Sequence, residues 1–397
     1  MMMNSGYSPR HSGPTGGTPL RLPRLATRRQ YLLTAAVVAV LLAGGGTAFA
    51  LLQSPPASSA CTSGRAHCSA GKSAPPRTTT VKPPVVPANL SQAPTVTVLS
   101  RPGYHLDRPG AVALGAGTLW ITNVHGKSIT ELSQATGKRL AYLPASLYSL
   151  DGPNALALGN GHIWVANAPA DSVTELSSLG DTQMRLLSGG YALSSPHALA
   201  LASGRLWIAN SASDSLTEVN ATTGSRIRIV AASKYGLSVP SALAVTGNTL
   251  WVANAGGNSI TEMNAASGAL ITVLKTGYKL KAPTALAVGG GSLWAVSQTG
   301  NSVTQLNIST GKLVRVISGP QFGFHSPDAI AVSDGAVFVA NSGSNSLTEL
   351  SVRLGTVVQV LSGEHYGFSQ PAGIAAVGGT IWVTNSRGNS VTQLSFG

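Results

Sequence analysis

The chain has 397 residues, of which 43% are hydrophobic, 5% aromatic and 10% charged, and its formal net charge is +13. This composition, with 46 Gly, is typical of many short strands joined by tight turns and argues against long helices. All 13 acidic residues follow residue 106, and the chain from residue 95 onward carries only +4. The basic character therefore belongs mainly to the N-terminal region, and we expect no nucleic-acid partner.

Residues 1–30 are rich in Arg, Pro, Ser and Gly and contain no acid, which predicts a disordered arm. Residues 31–52 carry no charge and are numerous enough to cross a bilayer as one helix. Arg28 and Arg29 flank this segment. The positive-inside preference therefore predicts a cytoplasmic arm, a single-pass span and everything after residue 52 outside the cell.

Two interpretations of residues 31–52 remain open. A retained membrane anchor is favoured by the length of the apolar span, which exceeds that of an ordinary signal sequence. The alternative is a signal cleaved after Ala50, since Ala48 and Ala50 flank a bulky residue as a small-x-small site, and cleavage would yield a secreted protein. The paired arginines resemble a twin-arginine export signal, although such pairs also flank ordinary membrane helices.

Residues 53–94 are dominated by Pro, Ser, Ala and Thr, which predicts a semi-extended stalk without a core. The only two cysteines, Cys61 and Cys68, lie in this stalk. Outside the cytoplasm they can form a disulfide. A metal site there is not indicated, because His67 is the only other suitable ligand nearby.

Residues 95–397 repeat at intervals of 43 or 44 residues. Each unit combines an aromatic residue, a proline five positions later and four short apolar segments separated by turns, which predicts one β-propeller blade per unit. We predict an all-β, seven-bladed β-propeller of four-stranded blades in which every strand is apolar on both faces. One aromatic residue marks the same phase in each unit: Trp120, Trp164, Trp207, Trp251, Trp294, Phe338 and Trp382.

The seventh unit ends one strand short. Residues 95–100, just before the first aromatic residue, match the missing fourth strand of the other units. This arrangement predicts that the N-terminal strand completes blade 7 and closes the ring, leaving no open sheet edge between the first and last blades. We expect the propeller to be monomeric.

Three motifs run through the units: P-x-A-[LIV]-A, L-W-V-x-N and N-S-[IV]-T-[EQ]-L. Over residues 95–397 this pattern resembles the YVTN/YncE-like and NHL-like bacterial propellers and the neighbouring virginiamycin B lyase-like group. The resemblance implies the fold but no single activity, because such propellers include both enzymes and binding proteins. The lyase-like relatives use a metal held by His and Glu. The nearest such pair here is Glu364 and His365, and we assign no catalytic residue.

Residue types that recur in every blade are interpreted as structural. The tryptophans are predicted to pack between sheets. An acidic position accepts Gln in two units, so it requires a hydrogen-bonding group and not an acid catalyst: Glu131, Glu175, Glu218, Glu262, Gln305, Glu349 and Gln393. Asparagines near the end of the second strand are predicted to bond a Ser five residues later: Asn123, Asn167, Asn210, Asn254, Asn341 and Asn385, with Ser297 in the fifth unit.

Function is expected where the units differ on one face. The position after the repeated proline varies most: Gly110, Asn154, His197, Ser241, Thr284, Asp328 and Ala372. Together with the loop histidines His125 and His325, the five polar members of this set are predicted to form a ligand-binding rim. His197 and Asp328 are the candidate ligands if a divalent metal binds, although no ligand spacing such as H-x-x-x-H is present.

Two functions are compatible with these features. The first is an extracytoplasmic, membrane-anchored binding or scaffold module without a cofactor, whose partner is a protein, a peptide or a cell-envelope ligand. The alternative is a metal-assisted lyase or hydrolase that acts at the mouth of the central channel through His197 and Asp328.

Overall fold

The computed structural model describes residues 93–179, 182–231 and 233–396, which form seven four-stranded antiparallel sheets. The inner strand of each sheet contacts the inner strands of two neighbouring sheets, and the seventh contacts the first. The predicted seven-bladed ring is therefore confirmed. The predicted arm 1–30, membrane segment 31–52 and nearly all of the stalk lie outside the described residues. Within the described ranges, no helix combines the length and the apolar character that crossing a bilayer requires.

Each blade contributes four strands, counted outward from the channel. The inner strands are Pro109–Leu114, Pro153–Gly159, Pro196–Ala202, Pro240–Thr246, Pro283–Gly289, Pro327–Ser333 and Pro371–Val377. The second strands are Thr118–Asn123, His162–Asn167, Arg205–Asn210, Thr249–Asn254, Ser292–Ser297, Ala336–Asn341 and Thr380–Asn385. The third strands are Ser128–Ser133, Ser172–Ser177, Ser215–Asn220, Ser259–Asn264, Ser302–Asn307, Ser346–Ser351 and Ser390–Ser395. The outer strands are Arg139–Pro144, Gln183–Leu187, Arg226–Val230, Leu270–Leu274, Leu313–Ser318, Val357–Ser362 and, for blade 7, Thr95–Leu99.

Short helical turns occupy six of the seven loops that enter a blade from the preceding outer strand. Each turn holds the repeated aromatic residue of its unit, and in blade 5 Tyr278 lies instead in a non-helical turn. One turn is α-helical, Ala145–Tyr148, and the others are 3-10 helices: Pro102–Tyr104, Gly189–Tyr191, Ser233–Tyr235, Pro320–Phe322 and Glu364–Tyr366.

The N-terminal strand closes the ring as predicted. Thr95–Leu99 pairs antiparallel with the third strand of blade 7, which places Leu99 opposite Val391. Leu99 is buried in a cluster with residues of blades 1 and 7, whereas the side chain of Val98 points outward and is 39% exposed. Residues that lie almost 300 positions apart in sequence thus form one sheet, which ties the two ends of the propeller together.

The core lies between the blades, along the second and third strands. All six tryptophans are at most 1% exposed there, as expected for residues that fill the space between sheets. The expectation that every strand is covered on both faces by neighbouring sheets is wrong for the outer strands, whose apolar side chains are partly exposed: Leu140 and Ile229 are 43% and 41% exposed.

The second and third strands of each blade are joined by a buried polar network. In blade 3, Asn210 Nδ2 donates to Ser215 Oγ at 3.2 Å and to Thr217 Oγ1 at 3.0 Å. The threonine hydroxyl donates in turn to the Tyr191 carbonyl of the entering loop, at 3.1 Å. The predicted Asn–Ser bond is confirmed in all six blades that carry the Asn. This network fixes the entering loop, which leads directly to the inner strand.

Side chains of the turn before each third strand hold successive blades together, on the face of the ring where the entering loops lie. Asp171 adopts a left-handed backbone conformation and its Oδ1 accepts the backbone N–H of Ser195 in the next blade, at 2.6 Å. Blade 1 has Lys127 at this position, and its ammonium instead pairs with Asp151 of blade 2 at 2.7 Å. The junctions are therefore rigid on the face that carries the variable residues.

Candidate functional site: the mouth of the central channel

The residue after the repeated proline lines the central channel in every blade, and in all blades but the first, where it is Gly110, it has a side chain. The register between inner and second strand shifts directly after the repeated proline in all seven blades, as for Pro196 and Ala198 in blade 3. The residue at this bulge is therefore freed from the regular ladder and can be re-aimed. The seven bulge residues all line a cavity of about 660 Å³: Gly110, Asn154, His197, Ser241, Thr284, Asp328 and Ala372.

Below these residues the cavity wall is aliphatic. The inner strands contribute Leu199, Leu243 and Ile330 among other small and branched apolar residues. The channel therefore has a polar, non-repeating mouth above an apolar funnel. Such a site can hold an apolar group while polar side chains at the mouth select its orientation.

His197 and Asn154 contact each other across blades 2 and 3. The Asn154 amide nitrogen donates to the carbonyls of Ala166 and Pro196, at 2.9 and 3.2 Å. Its oxygen then lies 3.3 Å from His197 Nδ1 and accepts the proton of that nitrogen. The lone pair of Nε2 is consequently available to a ligand. His197 is exposed to the channel, yet the surrounding protein partly desolvates its imidazole and lowers its pKa, which keeps the ring neutral at pH 7.

Asp328 and Thr284 occupy the bulge positions of the adjacent blades 6 and 5. Gln298 Nε2 donates to Asp328 Oδ1 at 3.1 Å. Burial raises the pKa of Asp328, and the bond from Gln298 partly opposes that effect. The Thr284 hydroxyl is buried and has no hydrogen-bond partner within the described ranges. In blade 4, by contrast, Ser241 Oγ donates to the Pro283 carbonyl at 2.6 Å.

The loop histidines lie around the mouth and do not line the cavity. His125 Nδ1 lies 2.9 Å from an Asp107 carboxylate oxygen, and the His125 side chain is 77% exposed. His325 packs against Gly343, where an added Cβ would lie 2.8 Å from His325 Nδ1. His105 stacks on Tyr142 of the outer strand of blade 1, which places it at the periphery. Of the predicted rim, the five polar bulge residues come together and the two histidines remain outside.

Metal-binding geometry is limited at the mouth. Across residues 93–396, leaving aside the undescribed positions, no group of three or more His, Cys, Asp and Glu residues is placed to hold an ion. His197 and Asp328 border the same cavity, but from blades 3 and 6. The donor set for a metal would thus be one imidazole, one carboxylate and the oxygen of Asn154.

Several residues of the site were not predicted from the sequence, and two of them stand out. Arg108 lines the cavity, and Gln298 supports Asp328. Both stand out from the repeat, because the residue before the proline is uncharged in every other blade and Gln298 is the only amide at the position after the second strand. Comparing units at these two positions as well would have identified them.

No protein-family model matches this chain, and no curated protein matches it. Among solved structures, it is similar to a streptogramin B lyase with a TM-score of 0.67 and 18% identity, over 78% of this chain and 100% of that one. It is also similar to a catalytically inactive virginiamycin B lyase from Staphylococcus aureus, solved with quinupristin, with a TM-score of 0.66 and 19% identity over 76% of this chain and 99% of that one. The WD40 repeats of RRP9 are similar with a TM-score of 0.63 and 12% identity, over 77% of this chain and 99% of that one. The predicted likeness to virginiamycin B lyase-like propellers is confirmed for the fold, and at these identities it establishes the fold alone.

Proposed function

We propose that this chain is an extracytoplasmic, membrane-anchored binding propeller that holds a protein, peptide or envelope ligand at the mouth of its central channel. One observation carries the proposal: every blade has a bulge at the same position, yet the seven residues at those bulges differ. Packing alone explains the repeated residues, but it does not explain why a shared geometry presents a different side chain in each blade.

The test is a thermal-shift screen of small molecules and short peptides with the wild-type chain and with Ala372→Phe, which places a ring in the channel mouth. A ligand at 100 times its dissociation constant stabilises the fold by about 2.7 kcal/mol. We expect compounds that raise Tm of the wild type to lose this effect in Ala372→Phe. Compounds that stabilise both proteins equally would place the binding site elsewhere.

A lyase or hydrolase activity is the second candidate, because the Nε2 lone pair of His197 is available at the mouth and some of the similar structures are lyases. Incubation with quinupristin tests it. An elimination would open the ring and change chromatographic retention without changing mass, whereas hydrolysis would add one water. Either product should disappear with His197→Ala, and unchanged quinupristin would contradict this second candidate.

Display outside the cell is tested with the two stalk cysteines, Cys61 and Cys68. A membrane-impermeant maleimide should label them in intact cells, and only after reduction if they form a disulfide. Retention in the membrane fraction would support an anchor at residues 31–52, and release of a shortened chain would support cleavage after Ala50. Labelling that requires cell lysis would contradict the proposed topology.

A further inference from the structure

The arc of the channel mouth formed by blades 5 and 6 holds polar groups that the protein leaves largely unused. Thr284 Oγ1 is buried without a partner in the described part of the chain, and the Asp328 carboxylate receives a hydrogen bond from Gln298 alone. The other three polar bulge residues bond their neighbours: Asn154 bonds His197, and Ser241 donates to the Pro283 carbonyl. Thr284 and Asp328 line the same cavity from adjacent blades, and an unsatisfied buried hydroxyl and a desolvated carboxylate are each costly unless a ligand supplies the missing bonds.

The chemistry of this arc selects among ligand groups. A carboxylate ligand would be repelled by Asp328, and an alcohol would supply one donor without charge. A primary ammonium offers three N–H donors and a positive charge, so it can bond the carboxylate and the Thr284 oxygen together. An aliphatic chain attached to it would lie against the apolar wall, where Leu286 and Ile330 belong to the same two blades.

We propose that Asp328 and Thr284 form a subsite for a primary ammonium group on an aliphatic chain, supplied by a small amine or by the free amino terminus of a peptide. The inference rests on the proposed binding function and names its ligand class. Desolvation of Asp328 supports it, since a bound cation stabilises the ionised carboxylate that burial disfavours.

The charges around the cavity are compatible with a cation in this arc. The bulge residues on either side of Asp328 are Thr284 and Ala372, and neither is charged. Arg108 lines the cavity from blade 1, is exposed to solvent, and is separated from blade 6 by the whole of blade 7. His197, in blade 3, is neutral at pH 7 because of its lowered pKa.

Calorimetric titration of the full-length chain with butylammonium, butan-1-ol and butyrate tests the subsite. We expect butylammonium to bind at least tenfold more tightly than the other two. Asp328→Asn should weaken the binding of butylammonium at least tenfold, and Thr284→Val should weaken it several-fold. Asp171→Asn is the matched control: it removes the same charge from the same face at a turn position where blades 4 to 7 already carry Asn, so affinity should not change.

A second pair of probes distinguishes the two sources of the ammonium group. The tripeptide Leu-Ala-Ala should bind with a free amino terminus and not when that terminus is acetylated. Tighter binding of the free tripeptide than of butylammonium would identify a peptide ligand. Tighter binding of butylammonium than of the tripeptide would identify a small amine.

Butyrate or butanol binding as tightly as butylammonium, and blocked by Ala372→Phe, would overturn the ammonium subsite but leave the channel mouth as a binding site. Binding of none of the probes would overturn the subsite as well. Equal loss of affinity in Asp328→Asn and Asp171→Asn would show a general charge effect and would also contradict it.

Discussion

At the residue scale, the carboxylates of the third strands differ in their partners and burial although they share one position: Glu218 is buried and Glu262 is half-buried. Glu218 is fully buried and pairs with Arg228 Nε at 2.6 Å and with Arg205. Glu262 faces Thr272 on the outer strand, and burial raises its pKa. The same residue type therefore stabilises blade 3 through ion pairs, while in blade 4 its charge is disfavoured.

Glu218→Gln and Glu262→Gln should accordingly have opposite effects. We expect Glu218→Gln to lower the free energy of unfolding by about 1–3 kcal/mol, because two arginines lose their charged partner. A raised folded-state pKa removes stability as pH rises through it, so Glu262→Gln should be neutral or stabilising at pH 7. Urea unfolding of both variants measures this. Equal destabilisation would show that the ionised carboxylate of Glu262 stabilises blade 4 as that of Glu218 stabilises blade 3.

His197 should make stability depend on pH. Its pKa in the folded protein is below the usual 6.5, so the unfolded chain binds the proton more readily. The stability contributed by the neutral ring is present above the unfolded-state pKa and is lost as pH falls through the folded-state pKa. Between pH 7 and pH 5, Tm should therefore fall more for the wild type than for His197→Asn. Parallel pH profiles for the two proteins would contradict a desolvated imidazole.

At the element scale, the strand Thr95–Leu99 determines whether the ring is closed. Its alternating side chains provide a matched pair: Leu99 is buried in the seam between blades 7 and 1, and Val98 faces solvent. Leu99→Ala should cost about 2–4 kcal/mol of unfolding free energy, and Val98→Ala less than about 0.5 kcal/mol. Thermal and urea unfolding measure both. Similar small effects would mean that this strand contributes little to the seam.

The elements also show what a single sequence can reveal. The phase of the tryptophans, the period and the short seventh unit were enough to predict seven blades, four strands in each and closure by a strand within residues 95–100, which the structure places at Thr95–Leu99. The bulge after each proline was not predicted, because a bulge is a property of two paired strands and leaves no change in residue pattern along one of them. The outer strands misled the prediction, since residues such as Leu140 and Ile229 are apolar yet exposed.

The candidate site was predictable for a related reason. Comparing units separates residues that every blade needs from residues that one blade alone carries, and this comparison found the five polar residues of the channel mouth. The positions of His105, His125 and His325 could not be inferred in the same way. They lie in loops whose paths depend on contacts such as the stacking of His105 on Tyr142, which join residues distant in sequence.

At the scale of the whole molecule, seven junctions tie the blades into one ring, and the bulge residues that differ from blade to blade line the mouth of its channel. Asx side chains join the blades, and Lys127 with Asp151 replaces such a bond at the first junction. A scaffold that presents six different side chains and one glycine around one cavity is suited to hold a ligand with little reorganisation on binding.

A crystal structure of the chain with a ligand obtained from the thermal-shift screen tests the central claim most directly. The account predicts that the ligand lies in the channel mouth, with an apolar part against the aliphatic wall and polar contacts to at least two bulge residues, Asp328 among them. A ligand bound at the periphery, for example against His105 and Tyr142, or at the opposite end of the channel, would contradict it.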